Sequence, residues 1–158
     1  MSDITISIMT LFDLIQSNQD KIEEIKEQYL LLLSNLTVTG YIETALFIEN
    51  VNKISEMGSI IVAFVTEPTG GIDIIASGTI IIEPKIIRQG KNVGHIEDIV
   101  VAPHMRGRGL SHKILNHLKQ FAKESNCYKV ILDCSEEVKN VYIKNNFIVK
   151  GIQMSEYF

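Results

Sequence analysis

The residues best placed to do chemistry lie in one stretch, Ile96-Glu97-Asp98-Ile99-Val100-Val101-Ala102-Pro103-His104-Met105-Arg106-Gly107-Arg108-Gly109-Leu110-Ser111. By pattern, a strand runs into a glycine-punctuated loop that opens a helix. The first amides of a helix have no partner within it and sit at the positive end of its dipole. Glycines let an anion approach that backbone closely, and Arg106 and Arg108 add charge, so the chemistry suggested is a pyrophosphate cradle. The plainer alternative is a tight turn with two solvated arginines. The spacing G-x-x-x-x-G-K-[ST] is absent, so this is not a P-loop. His112 stands where G-x-G-x-x-G needs its third glycine, and the loop lies mid-chain, which disfavours a dinucleotide-binding unit.

Glu97 and Asp98 are adjacent acids at a strand's end, so simple alternation points them to opposite faces. One could take an amine proton, directly or through water, while the other anchors the acceptor. Both also fit as solvated edge charges. Asp133 ends the apolar run Val130-Ile131-Leu132, where an acid calls for a partner. Tyr142, on a helix, reads either as a core residue or as a phenol able to give up a proton. Cys134 has no activating histidine nearby, so no covalent nucleophile is implied. Cys127 and Cys134 bracket one strand and would lie roughly 20 Å apart, beyond disulfide reach. With no CxxC or histidine cluster they make no metal site either.

These groups need elements to position them. Ile4, Ile6 and Ile8 alternate with polar residues, predicting a strand over 4–9. Ile22, Ile25, Tyr29, Leu32, Leu33 and Leu36 share one face of a helix running from Asp20 and closed by Thr37-Val38-Thr39-Gly40. A second helix is expected over 42–56, broken by Gly58. The apolar run 60–65, the turn Pro68-Thr69-Gly70-Gly71 and the strand 72–83 make a hairpin. A basic loop with Lys85, Arg88 and Lys91 leads to strand 93–101. Leu110, Ile114, Leu115, Leu118, Phe121 and Ala122 define the inner face of a helix over 109–125. Strand 128–134, a helix over 136–145 and strand 147–154 follow. The order β-α-α-β-β-β-α-β-α-β is a mixed α/β sheet packed by helices.

The chain has 158 residues, is 46% hydrophobic and 22% charged, and carries a net charge of −4. Those values bound one domain, residues 1–158, with a core that needs neither disulfide nor metal. Disorder, collagen and coiled coil are excluded. Isoleucine fills about one position in six, a composition that favours sheet. Mild acidity argues against nucleic-acid binding, though not against a small anion held by local donors. Met1-Ser2-Asp3-Ile4 opens no secretory signal, and no apolar run approaches the ~20 residues of a membrane span. Two unpaired thiols suit a reducing compartment, so a cytoplasmic location is expected.

Arg106-x-x-Gly109-x-Ser111 resembles the R-x-x-G-x-[GA] loop of the GNAT superfamily of acyl-CoA-dependent N-acetyltransferases, with serine in the last small-residue slot. Within it, 94–101, 126–134, 80–88 and 36–40 resemble the branch that acetylates glucosamine 6-phosphate, and the likeness spans residues 30–154. It implies a central, splayed, mostly antiparallel sheet flanked by helices, with acetyl-CoA as cosubstrate and no metal. The backbone of Ile99, Val100 and Val101 would pair with the pantetheine arm. Arg106, Gly107, Arg108, Gly109, Leu110 and Ser111 would hold the pyrophosphate. Glu97 and Asp133 would share the base role, unranked, and Tyr142 would protonate the departing thiolate. Thr37, Lys85, Arg88, Lys129 and Asp98, with the two bases, would hold the amino-sugar phosphate. The resemblance also implies a homodimer in which residues 147–154 complete the partner's site.

Three positions depart from the family pattern. Tyr157 stands where an arginine reaches the phosphate, Val138 where an asparagine lies near the cofactor, and Asn146 where a glycine precedes an aromatic. Two alternatives follow from the charges. Glu97, Asp98 and Asp133 equally suit a cationic acceptor such as a polyamine or a protein N-terminus. A non-catalytic acyl-CoA-binding module is the other, and intact Glu97, Asp133 and Tyr142 argue against it.

Overall fold

The computed structural model describes residues 5–158. Its elements are β1 (Ile6–Thr10), α1 (Leu11–Ser17), α2 (Ile22–Leu33), α3 (Thr44–Met57), β2 (Gly58–Thr66), β3 (Ile72–Glu83), β4 (Asn92–Val101), α4 (Leu110–Glu124), β5 (Cys127–Ile131) and α5 (Lys139–Lys144). One five-stranded sheet has the order β1-β2-β3-β4-β5. Its first four strands are antiparallel and β5 joins β4 in parallel. This is the expected mixed sheet, with Ile4 of the first predicted strand outside the described residues.

Helices cover both faces. Tyr29 of α2 reaches Ser77 of β3 and packs against Phe47 of α3, with ring centroids 6.3 Å apart. On the other face a side chain at Gly78 would collide with Ile99 and with Ile114 and Leu118 of α4. Gly78 therefore lets α4 lie close to the sheet that carries the site. Leu110, Ile114, Leu115, Leu118 and Ala122 are the buried stripe of α4, as the periodicity predicts.

Several boundaries differ from the sequence pattern for local reasons. α1 was not foreseen: Thr10 ends β1 and also caps α1, its hydroxyl oxygen accepting from the Asp13 amide at 2.9 Å. α2 stops at Leu33 rather than near Gly40, because Ser34 and Asn35 side chains take the Leu31 and Leu32 carbonyls. Gly40 is left-handed, φ +64°, but lies in irregular chain. β5 ends at Ile131, where its pairing with β4 ends, and not at Cys134. The strand expected over 147–154 is absent. Residues 148–158 form no regular element and are exposed, so their alternating side chains face nothing in this chain.

Candidate active site

The site is built around a strand that loses one neighbour. β4 pairs with β5 from Asn92↔Cys127 to His95↔Ile131 and no further, while it stays paired with β3 up to Ala76↔Val101. Beyond His95 the β5 side of β4 is open over Ile96–Val101. That open backbone is what an extended amide-bearing arm could join as an added strand, in keeping with the roles expected of Ile99, Val100 and Val101. Their side chains are core: Val100 is buried and Ile99 packs over Gly78.

A bulge interrupts the same stretch. Glu97 lies opposite Thr79 and Val100 opposite Ser77, so Asp98 and Ile99 together face the single residue Gly78. Asp98 adopts φ +53°, the left-handed conformation that aspartate tolerates better than most residues. The extra residue resets the alternation. Ser77 and Thr79 lie on the Tyr29 side of the sheet, and the Asp98 charge acts on both Glu97 and Tyr29. The two acids thus occupy one neighbourhood in mid-strand, instead of opposite faces at a strand's end.

Burial holds the Glu97 carboxyl above the ordinary carboxylate value, with Asp98 and then Asp133 adding to the effect and His95 opposing it. A carboxylate with a raised pKa is a better proton acceptor than a freely solvated one. Asp133 therefore sits within electrostatic range of Glu97. It lies exposed in the loop after β5 and forms no ion pair among the described residues, so solvent, and not a partner, accommodates its charge.

At the far end of β4 the chain passes through a short turn, Pro103–Met105, into the loop before α4. Gly107 and Gly109 are left-handed, with φ +75° and +73°, and a methyl group at either would meet nothing within 4 Å. Gly109 is the N-cap of α4, and no side chain caps it. The first bond of the helix is Lys113 N–H to the Gly109 carbonyl, which leaves the preceding amides free. Val101, Arg106, Gly107, Gly109, Leu110 and Ser111 line one open cleft of about 350 Å³, joined by Met105 and Val141. Arg108 is exposed beside it and Arg106 folds back to the Val101 carbonyl. A second concavity of about 180 Å³, beside Thr10, Asp13 and Phe121, contains none of the expected site residues.

Tyr142 lies on α5 near this cleft, one residue after Val141. Its ring meets Phe147 edge-on, centroids 5.9 Å apart. Burial, followed by the nearby Cys134 side chain, raises the phenol's pKa. The group stays protonated at neutral pH, as a proton donor must. Cys127 and Cys134 are both unpaired, as their spacing predicts.

The expected acceptor residues are only partly gathered. Arg88 and Lys129 converge on the Tyr128 ring, each 5.6 Å from its centroid. Arg88 has a left-handed φ of +56°. Lys85 is ion-paired with Glu83, which also holds His95 Nε2 at 2.6 Å. Thr37 is exposed past the end of α2, and Tyr157 is exposed in the C-terminal segment. Sequence reading missed Tyr128, Glu83 and His95. The signals were adjacency to Lys129 for Tyr128, and alternation with Glu97 for His95.

Comparison with known proteins meets this geometry directly. The Acetyltransferase (GNAT) family profile matches residues 23–144. The chain belongs to the GNAT acetyltransferase family. It is 39% identical over 139 residues to the glucosamine 6-phosphate N-acetyltransferase of Arabidopsis thaliana, covering 87% of this chain and 93% of that one. It is 38% identical over 132 residues to a probable glucosamine 6-phosphate N-acetyltransferase 2 of rice, covering 82% and 80%. The crystal structure of the Arabidopsis enzyme superposes with a TM-score of 0.82 at 37% identity, over 98% of this chain and 99% of that one.

The GNAT acetyltransferases use acetyl-CoA. The open β4 edge and the uncapped, side-chain-free helix start suit an arm ending in a pyrophosphate. The Asn146 departure is explained by its backbone: φ is +66° there, a conformation that glycine takes freely and asparagine tolerates. Val138 is the N-cap position of α5 and offers no side-chain cap. Tyr157 is 93% exposed.

Proposed function

We propose that the chain transfers the acetyl group of acetyl-CoA to the amine of glucosamine 6-phosphate, by direct attack in a ternary complex. The observation that carries this is the opening of β4 from β5 just where a carboxylate pair sits, with a free helix start at the strand's end. Acetyl-CoA supplies the activated carbonyl. Glu97, directly or through water, takes the proton the amine must lose, with Asp133 sharing that work. Asp98 in the bulge helps orient the acceptor. The Tyr142 hydroxyl gives its proton to the leaving sulfur. The cradle residues contribute fixed backbone donors, which need no reorganisation as the cosubstrate binds.

Arg88 and Lys129, held over one ring, are the groups offered to a sugar phosphate, with Lys85 and Thr37 as further contacts. Residues 147–158 present Ile148, Val149, Ile152, Met154, Tyr157 and Phe158 to solvent. That exposure supports a homodimer in which this segment completes the partner's site. Two unpaired thiols fit a cytoplasmic enzyme, and the product would serve UDP-N-acetylglucosamine synthesis. No helix among the described residues is long and apolar enough to cross a membrane.

A cationic acceptor, such as a polyamine, is the second reading, favoured by the three acids Glu97, Asp98 and Asp133. CoA thiol release with acetyl-CoA and glucosamine 6-phosphate, glucosamine or spermidine separates the two. Turnover is expected with the phosphorylated sugar and little with the others. Equal rates for both sugars would remove the phosphate role of Arg88 and Lys129. Release with spermidine alone would establish the second reading, and none with any amine would leave a binding module.

A further inference from the structure

Tyr142 sits on a helix too short to hold its own position. α5 has six residues, and helices of that length are not stable by themselves, so the place of the phenol must be imposed by contacts from outside. Tyr142 and Phe147 pack on the hydrophobic core, and Asn145, 6% exposed at the C-cap of α5, adds the polar contacts that set the orientation. Its side-chain Nδ2 donates to the Val141 carbonyl at 2.8 Å, which leaves Oδ1 to accept. That oxygen lies 2.6 Å from His112 Nδ1 in the first turn of α4. The network fixes the imidazole as the Nδ1–H tautomer, because Nε2 lies 3.0 Å from Asn116 Nδ2 and accepts from it. Lys119 of α4 donates to the Asn145 backbone carbonyl and lies 4.7 Å over the Phe147 ring, against which Tyr142 packs.

We propose that Asn145 is a positioning residue for the proton donor: through His112 it fastens α5 to the anion-binding end of α4 and so sets where the Tyr142 hydroxyl stands relative to the cleft. His112 follows Ser111 and Asn145 holds Val141, and both Ser111 and Val141 line that cleft. The His112–Asn145 bond therefore joins its two walls, beside the Lys119 bond to the Asn145 carbonyl. The cradle amides lie in the loop before α4 and in its first turn, and none of them takes part in the His112–Asn145 bond. Losing it should displace the phenol while leaving acetyl-CoA binding intact.

The inference rests on Tyr142 being the proton donor, and the test keeps the two apart. His112 is exposed, so His112→Leu removes the bond with little risk to the fold. It should lower kcat about three- to tenfold, the usual worth of one such hydrogen bond, with the KM for acetyl-CoA within about twofold. His112→Gln, whose amide can donate to Asn145, should recover most of the loss. In a Tyr142→Phe background His112→Leu should cost nothing further, because the residue it positions is gone. The phenolate absorbance assigned to Tyr142, by difference from Tyr142→Phe, should titrate at lower pH in His112→Leu as the ring becomes exposed.

Additive losses in the double variant would overturn the proposal, as would an unchanged kcat in both His112→Leu and Asn145→Ala. If the wild-type chain acetylates no amine, the functional reading fails and the titration alone decides. A Tyr142 titration unmoved by His112→Leu would then overturn the clamp.

Discussion

Gly109→Ala separates a cradle from an ordinary turn. Gly109 has φ +73° and open space where a methyl group would go, so the substitution meets no steric clash in the free protein. Its cost to folding is the left-handed backbone of an L-residue, about 1 kcal/mol. For a chain of this length that lowers Tm by about 2–4 °C. The effect on ligand is separate. The methyl group would occupy the cleft at the N-cap of α4, where the free amides approach an anion. Losing one charge-assisted bond there costs about 1.5–3 kcal/mol, a rise in the Kd for CoA of roughly tenfold to a hundredfold. Gly40→Ala is the internal control, with φ +64°, nothing within 4 Å and no part in the cleft. It should lower Tm by a similar amount and leave CoA affinity unchanged. Calorimetric titration of CoA into both variants, beside their thermal melts, gives all four quantities. If Gly109→Ala binds CoA as tightly as Gly40→Ala does, the loop is only a turn and the pyrophosphate binds elsewhere.

Three further outcomes are expected. Tyr142→Phe should reduce kcat about a hundredfold or more, the usual worth of a positioned proton donor, with CoA affinity within twofold. Unchanged turnover would return Tyr142 to a packing role. Glu97 must be ionised to accept a proton, so kcat/KM should fall as pH drops through its raised pKa; Asp133→Asn removes a like charge and should move that acid limb to lower pH. A limb left in place would separate the two acids. Glu83→Gln should lower the KM for glucosamine 6-phosphate, because it frees the Lys85 ammonium from its carboxylate partner. No such change is expected for unphosphorylated glucosamine, and a raised KM for the phosphate would show that Glu83 positions Lys85.

The long elements were legible because each carries a full period of its own. α4 shows its buried stripe over four turns, and β2 carries the apolar run 60–65 between Gly58 and the turn at Pro68. The loop at 106–111 was legible for a different reason: glycine spacing at a helix start is a property of the backbone, which the structure repeats as two left-handed residues. Glu97 and Asp98 show the limit. Their identities were plain, but their faces depended on a bulge set by pairing with β3, and no local pattern marks one extra residue. Asp133 showed the same limit in reverse, since the end of β5 is decided where β4 turns away. The C-terminal alternation was read as a strand because alternation signals a face to be covered, and this chain does not cover it.

The placement of charge along β4 explains how a chain of net charge −4 can serve two anions. Lys129 pairs with Val93 and so shares the face of His95 and Glu97, two and four residues further along β4. Four residues of strand span roughly 13 Å, and Arg88 and Lys129 both lie over the Tyr128 ring at the near end of that span. The acids lie between this cationic end and the glycine loop at the other end of the strand. An acceptor with an amine at one end and a phosphate at the other is matched in polarity along that line: amine toward Glu97, phosphate toward Tyr128. A polyamine would present a second positive charge to Arg88 and Lys129, which would repel it. The sign pattern along one strand, more than any single residue, therefore favours the amino-sugar phosphate over the polyamine.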